Sequence, residues 1–213
     1  MQIYCLYKFK KYFYNKLLNF RHQYISTKCE CKFILIPKNG SSNIKRLLIN
    51  LESTIPPPYT QEQVHSNENL INFKKIIFYF YYFKYFKKTF IILRNPKERL
   101  ISAYYQRGYF KKYTFDFFLQ NLIKENYFYD EHLLPQYCFF PFYKRNITTI
   151  KLDNLIKLKS FTKIPKIIFD SNTNILNPHA TGHLSAKLNL NREFDSLINN
   201  IFKKDWSIYN NAL

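Results

Sequence analysis

The stretch PKNGSSN, residues 37–43, has the residue types of an anion-binding loop. It follows an apolar run and precedes a segment with helical spacing, and helix N-termini bind anions because their first N–H groups lack partners. Gly40 would let the backbone approach an oxyanion closely, and Ser41 and Ser42 would add hydroxyl donors. Lys38 would add a mobile positive charge. The stretch is equally typical of an ordinary junction between a strand and a serine-capped helix.

A second candidate anion site lies in the stretch RNPKERLISAYYQR, residues 94–107. Arg94 ends a predicted strand, and Ser102 lies two turns into the helix that follows. The planar guanidinium of arginine suits phosphate, and Arg99 shares a helix face with Ser102 at i and i+3. Two anion sites at strand–helix junctions suggest one ligand with two separated acidic groups. We therefore expect both sites to face one shared cavity.

Alternating strands and helices position these two motifs. We predict strands at Lys32–Ile36, Thr89–Leu93 and Asn146–Leu152. In open α/β sheets, ligands bind beyond the carboxyl ends of such strands. The fold class is therefore α/β, with an expected P-loop-like three-layer αβα arrangement around a mainly parallel central sheet.

Capping and periodicity signals predict the helices. After Ser42, apolar residues recur at helical spacing at Ile44, Leu47, Leu48 and Leu51. Asn95 is predicted to cap the next helix with Pro96 at its first position, Thr114 is predicted to cap a third helix, and Asp153 the segment after the third strand.

One domain is expected over residues 1–213, with a basic amphipathic lead-in at 1–28 and a polar loop at 52–72. Lysines interrupt the apolar runs at the N-terminus and at residues 76–93, so no signal peptide or transmembrane helix is expected. This predicts a soluble, cytoplasmic protein with at most peripheral membrane contact. Cys29 and Cys31 have no matching second pair of ligands. We therefore expect buried thiols there, and no metal.

The net charge of +19 suggests an anionic partner, although a biased genome composition explains part of it. Nucleic acid, a phosphorylated cofactor, an acidic glycan and a membrane surface all fit this charge.

The two motifs resemble those of sulfotransferases. IPKNGSSNIKRLL is similar to their 5′-phosphosulfate loop, and ILRNPKERLISAYYQR is similar to their 3′-phosphate motif, R-[DN]-P-x-x-R-x-x-S-x-[YF], complete from Arg94 to Tyr104. The likeness is greatest to carbohydrate sulfotransferases of the HNK-1 and uronyl 2-O type. It runs in order over residues 32–209 and includes TFDFFL, DEHLLPQ, IKLDNL and IFKKDWSIY.

The resemblance implies transfer of a sulfonate group from 3′-phosphoadenosine 5′-phosphosulfate to a hydroxyl of a carbohydrate acceptor, without a metal. Lys38 would neutralise the leaving oxygen as charge develops on it. Arg94 and Ser102 would hold the 3′-phosphate. The 5′ end of the donor would lie against Pro37, Lys38, Asn39, Gly40, Ser41, Ser42 and Asn43.

The acceptor hydroxyl needs a general base, and several residues are candidates. His65 lies in the polar loop, where relatives of the 2-O type carry theirs, and His132 lies in DEHLLPQ. The further candidates are His179, His183, Glu62 and Asp130. The chain departs from many relatives at Leu133, where they have tryptophan, which leaves the acceptor undetermined; the surplus of Lys, Arg and Tyr suits an acidic glycan.

Three alternatives remain. A kinase with an atypical phosphate loop would need a magnesium-binding carboxylate at a strand end. A nucleic-acid-binding protein would need its lysines and aromatics on one exposed stripe, but the aromatics concentrate in apolar runs such as FYFYYF, so no nucleic acid is expected. The third is a sulfotransferase-like protein without activity.

Overall fold

A four-stranded sheet in the order β1-β2-β3-β4 organises the protein. The structure is a computed structural model that describes residues 22–26, 29–52, 88–124, 130–140, 146–161, 188 and 192–213. β1 runs antiparallel to β2, whereas β2, β3 and β4 are mutually parallel. The prediction of a mainly parallel sheet is therefore confirmed. The strands are β1 Gln23–Ser26, β2 Cys31–Ile34, β3 Lys88–Leu93 and β4 Ile147–Lys151.

β1 corrects the predicted lead-in at residues 1–28. Residues 23–26 are a buried strand paired with β2, and the backbone N–H of Leu35 donates to the carbonyl of His22 at 2.9 Å. The sequence concealed this strand because QYIS is too short to show an alternating pattern. Residues 1–21 lie outside the described part of the chain. Residues 53–72 of the predicted polar loop also lie outside the described part of the chain. Glu52, the first residue of that predicted loop, is instead the last residue of a helix.

Six α-helices and three short 3-10 helices complete the described elements. The α-helices are α1 Ser41–Glu52, α2 Pro96–Gln106, α3 Phe115–Lys124, α4 Leu158–Phe161, α5 Arg192–Ile201 and α6 Lys203–Asn210. The 3-10 helices are Tyr109–Lys111, Gln136–Phe139 and Leu152–Lys157. No helix within these described segments is long and apolar enough to cross a membrane.

Two of the predicted helix caps, Asn95 and Thr114, are confirmed. The side chain of Asn95 accepts hydrogen bonds from the backbone N–H groups of Lys97 and Glu98, at 3.0 and 3.3 Å. Thr114 Oγ1 accepts from the backbone N–H of Phe117 at 3.4 Å. These side chains satisfy donors that the first helical turn leaves without partners.

The predicted cap at Asp153 is wrong. The 3-10 helix begins one residue earlier, at Leu152, and no side chain caps it. The physical reason is packing, because Leu152 must turn into the core directly after β4 and is only 5% exposed.

The sheet buries apolar side chains on both faces, as the pleat of a strand dictates. Phe33 and Leu35 belong to one cluster with the apolar stripe of α1, whose four members are at most 2% exposed. Ile34 and Ile36 belong to another cluster with Phe139 and residues of α6. A third cluster joins α2, α3, α5 and the turn before α6. Cys29 and Cys31 are buried thiols, as predicted.

Candidate active site

The two anion motifs meet where β2 and β3 end. Because these strands are parallel neighbours, their carboxyl ends lie at one edge of the sheet, and the loops that follow them lie side by side. Nη1 of Arg94 donates to the backbone carbonyl of Lys38 at 3.2 Å. The side chain of the second motif therefore contacts the backbone of the first.

The loop before α1 has a left-handed backbone at two positions. Gly40 has φ +71°, and a Cβ placed on it would lie 2.6 Å from Cδ1 of Leu152. Its lack of a side chain thus has a packing role that the sequence did not predict. Lys38 has φ 69°, which is unusual for a residue with a side chain. Strained backbone of this kind clusters at functional sites.

The ammonium group of Lys38 lies among charged side chains. Nζ donates to Oε1 of Gln106 at 2.6 Å. Burial lowers the pKa of Lys38, and nearby Arg107 lowers it further, whereas the carboxylate of Asp130 opposes this shift. Lys38 therefore reaches the end of α2 and the segment around residue 130.

α1 begins directly after the left-handed loop. Ser41, Ser42 and Asn43 form its first turn and are half-buried, and this turn has no acidic residue. The backbone N–H of Asn43 donates to the carbonyl of Gly40 at 3.0 Å. The first turn of α1 thus has the polarity that favours an anion.

Asn39 faces the protein interior and is 1% exposed. Its Nδ2 donates to the carbonyl of Ile92 at 2.8 Å and to Oε1 of Gln136 at 2.6 Å. Oδ1 is buried and has no hydrogen-bond partner within the described residues. The side-chain amide of this predicted ligand-binding residue therefore joins the loop to β3.

Arg94 and Ser102 both lie in buried positions. Nε of Arg94 donates to Oε2 of Glu98 at 3.4 Å, and the Arg94 side chain is 8% exposed. Burial lowers the pKa of Arg94, and Glu98 opposes that effect. Oγ of Ser102 is buried, and among the residues that the structure describes it has no hydrogen-bond partner.

Arg99 has a structural role that the sequence did not predict. Its guanidinium donates to the backbone carbonyls of Pro37, Leu134 and Glu131, at 3.0, 2.8 and 3.4 Å. The residue is 2% exposed, and burial lowers its pKa to about 10. Arg99 therefore ties α2 to the loop after β2 and to residues 131–134.

Gln136 joins both motifs and was not singled out from the sequence. Its Oε1 accepts from Nδ2 of Asn39 at 2.6 Å and from the backbone N–H of Arg94 at 3.1 Å. Its Nε2 donates to the carbonyl of Arg94 at 2.8 Å. Its position within the similar stretch DEHLLPQ was the available signal, but nothing in that stretch marks it as a contact to residues 39 and 94.

Asp205 holds the backbone of Gln136 in place. Its carboxylate accepts from the N–H groups of Gln136 and Tyr137, at 2.7 and 3.0 Å. Burial raises the pKa of Asp205, whereas these two amides and the charge of Arg99 oppose the shift.

His132 forms a pair with Asp130 beside this site. Nδ1 of His132 lies 2.7 Å from Oδ1 of Asp130, while Oδ2 accepts from Nε of Arg107 and from the hydroxyl of Tyr109, both at 3.0 Å. Burial alone would raise the pKa of Asp130, but hydrogen bonds from His132 and Arg107 hold it well below its usual range. Burial, followed by the charge of Asp130, raises the pKa of Tyr109 to about 12, so the phenol remains a donor.

The ionised state of Asp130 decides the tautomer of His132. An ionised carboxylate is only an acceptor, so Nδ1 must carry the proton that it donates to Asp130. A neutral His132 then has its lone pair on Nε2.

Of the histidines predicted as bases, His132 lies within the described residues. His65, His179 and His183 lie outside them, as does Glu62. His132 belongs to the same electrostatic neighbourhood as Lys38, because the charge of its partner Asp130 opposes the lowering of the Lys38 pKa by burial and by Arg107. In the described segments, no group of three or more His, Cys, Asp or Glu side chains could hold a metal ion.

Comparison with known proteins gives one match. A family model described as the sulfotransferase family matches residues 21–210. No curated protein and no solved structure matches the chain. The matched range contains both anion motifs, Gln136 and the His132–Asp130 pair.

Proposed function

Because the chain belongs to the sulfotransferase family, we propose that it transfers the sulfonate group of 3′-phosphoadenosine 5′-phosphosulfate to a hydroxyl of a carbohydrate acceptor. The observation that carries this proposal is the 3.2 Å hydrogen bond from Arg94 to the carbonyl of Lys38. It joins the two motifs that would hold the two ends of one nucleotide. The HNK-1 and uronyl 2-O type is the subtype that we propose.

Donor binding is assigned to the loop before α1 and to residues 94–102, which run from the end of β3 into the second turn of α2. Lys38, Ser41 and Ser42, with the first N–H groups of α1, would hold the 5′ end, while Arg94 and Ser102 would hold the 3′-phosphate. The buried hydroxyl of Ser102 supports this role, because an unsatisfied buried donor costs about 1–3 kcal/mol. A phosphate would also compensate the buried charge of Arg94.

The donor supplies a sulfonate on an oxygen that leaves with the 5′-phosphate. Lys38 stabilises the negative charge that develops on this oxygen as its bond to sulfur breaks. Partial burial, and after it the nearby arginines, already disfavour the charged form of Lys38 and lower its pKa, so a new anion beside it relieves an existing electrostatic cost.

His132 accepts the proton of the acceptor hydroxyl at Nε2 while the acceptor oxygen forms its bond to sulfur. Asp130 orients the ring and stabilises the imidazolium that results. Arg107 and Tyr109 keep Asp130 ionised and in place through hydrogen bonds of 3.0 Å. His65, predicted from the sequence for the same task, is the alternative base.

An acidic glycan is the acceptor class that suits the surrounding charge. The side chain of Arg107 is half-exposed beside Asp130, and Lys111 and Lys112 are exposed shortly after it. A nucleic-acid role is disfavoured by the large described aromatics, several of which are fully buried and unavailable for stacking on bases: Phe33, Phe90, Phe118, Phe139 and Phe202.

Calorimetry with 3′-phosphoadenosine 5′-phosphate tests donor binding. We expect wild-type protein to bind it, and Lys38→Ala and Arg94→Ala to weaken binding by roughly tenfold or more, since each lost charged contact contributes about 1.5–3 kcal/mol. Matched controls are Lys203→Ala and Arg192→Ala, which remove exposed charges on α6 and α5. Magnesium-dependent ATP binding in its place would favour a kinase. Tight oligonucleotide binding that is unaffected by Lys38→Ala and Arg94→Ala would favour a nucleic-acid-binding protein.

A further inference from the structure

One buried side chain, that of Gln136, connects the two loops that carry the anion motifs. It bonds to Asn39 of the first loop and to both the N–H and the carbonyl of Arg94 in the second. Gln136 is 97 residues from Asn39 and 42 from Arg94 along the chain. No local preference of either loop could produce this connection.

The amide of Gln136 has little freedom to move. Both loops use Oε1 as a shared acceptor, and Nε2 is committed to the carbonyl of Arg94. A rotated amide would place two donors, Asn39 Nδ2 and Arg94 N–H, against Nε2. At the same time Asp205 holds the backbone N–H of Gln136 at 2.7 Å. The side chain is 1% exposed, so water has little access to replace these bonds.

We propose that Gln136 is a positioning residue that sets the spacing between the two anion sites, so that the protein prefers a nucleoside 3′,5′-bisphosphate over either monophosphate. This inference rests on the proposed donor binding. Gln136 touches neither phosphate; it acts through Asn39 beside Lys38 and through the backbone of Arg94.

The preference follows from preorganisation. When two anion sites are held at a fixed separation, the second phosphate of a matching ligand binds without a further cost of ordering the protein. A loosened connection lets the loops vary in separation. Each site still binds one phosphate, but a ligand with two phosphates must then also order the loops, so its second phosphate adds less affinity.

The test compares three ligands by calorimetry: adenosine 3′,5′-bisphosphate, adenosine 5′-monophosphate and adenosine 3′-monophosphate. In Gln136→Met, a side chain of similar length makes none of the three bonds. We expect its affinity for the bisphosphate to fall by on the order of tenfold or more. The affinities for the monophosphates should fall less than about threefold, so the preference for two phosphates collapses.

The matched control is Gln120→Met on the exposed surface of α3, where Gln120 Nε2 donates to Asp116 at 3.1 Å. It should leave all three affinities unchanged. Gln136→Glu gives a second measurement if Gln136→Met does not fold. When ionised, the glutamate keeps an acceptor for Asn39 and for the Arg94 N–H but has no donor for the Arg94 carbonyl, so the contribution of the 3′-phosphate should fall more than that of the 5′-phosphate.

Equal losses for all three ligands, or no loss for any, would overturn the positioning role. So would failure of both variants to fold, since Gln136 would then be a general determinant of stability. Wild-type protein that binds no bisphosphate contradicts the proposed function itself. Wild-type binding with an unchanged preference in the variants contradicts only the role of Gln136.

Discussion

Replacing Gly40 with alanine tests how closely the loop before α1 packs against the end of β4. The substitution has two separate costs. A residue with a Cβ in the left-handed region, here at φ +71°, loses about 1–2 kcal/mol. The new Cβ would also lie 2.6 Å from Cδ1 of Leu152, a buried side chain. Overpacking of a core costs about 1–3 kcal/mol. The free energy of unfolding should therefore fall by about 2–5 kcal/mol in total.

Urea denaturation measures this loss, and Gly108→Ala separates its two parts. Gly108 has φ +75°, but a Cβ there would meet nothing within 4 Å. This control should lose only the backbone cost of about 1–2 kcal/mol. Leu152→Ala completes a double-mutant cycle with Gly40→Ala. Because the clash is absent from the double variant, it should be more stable than the sum of the single losses by about 1–3 kcal/mol.

Two results would refute this explanation of the glycine. Equal losses of unfolding free energy in Gly40→Ala and Gly108→Ala would mean that the Leu152 side chain moves aside without cost. Additive losses in the double-mutant cycle would mean that residues 40 and 152 are not coupled. Gly40 would then be required by backbone conformation alone.

Three further predictions concern buried or paired charges. Arg99→Met should lower the free energy of unfolding by about 3–5 kcal/mol in urea denaturation, because the buried carbonyls of Pro37 and Leu134 lose charged donors, as does a part-buried third carbonyl. A loss below about 1 kcal/mol would contradict this role. Asp130→Asn should lower kcat at least about tenfold with little change in bisphosphate affinity, since the ring of His132 loses its orienting carboxylate. The control Asp116→Asn should leave kcat unchanged in the same transfer assay. An unchanged kcat in Asp130→Asn would show that Asp130 has no part in the mechanism. Burial lowers the pKa of Lys32 from 10.5 to about 8, so the unfolded chain binds more protons across that interval and stability from this group rises with pH. In urea denaturation across that pH range, the free energy of unfolding should rise with pH in wild type and in Lys112→Met but not in Lys32→Met. An identical pH profile in all three proteins would disprove the lowered pKa of Lys32.

Local signals in the sequence were sufficient for most of the central elements. The core stripe of α1 and the cap at Asn95 depend on residues within a few positions of one another, so spacing alone predicts them. The bounds of all three predicted strands differ from the observed ones by one or two residues, and residue 153 lies inside a helix. These differences arise where packing, as at Leu152, decides how a strand ends.

The candidate site was predicted in outline, but its supporting contacts were not. Two motifs at the ends of neighbouring parallel strands had to lie close together, and the contact from Arg94 to Lys38 bears this out. The direction of the Arg99 side chain could not be predicted, because a fully buried arginine needs carbonyl partners that distant loops supply.

By itself, the amino-acid sequence determined which segments form the three parallel strands of the sheet and which residue types gather at its carboxyl edge, since periodicity and caps act over short distances. Only the tertiary structure decided that Gln136 and Asp205 support that edge. Buried polar groups must find hydrogen-bond partners wherever the chain places them. Those partners lie tens of residues away, where no local pattern records the pairing.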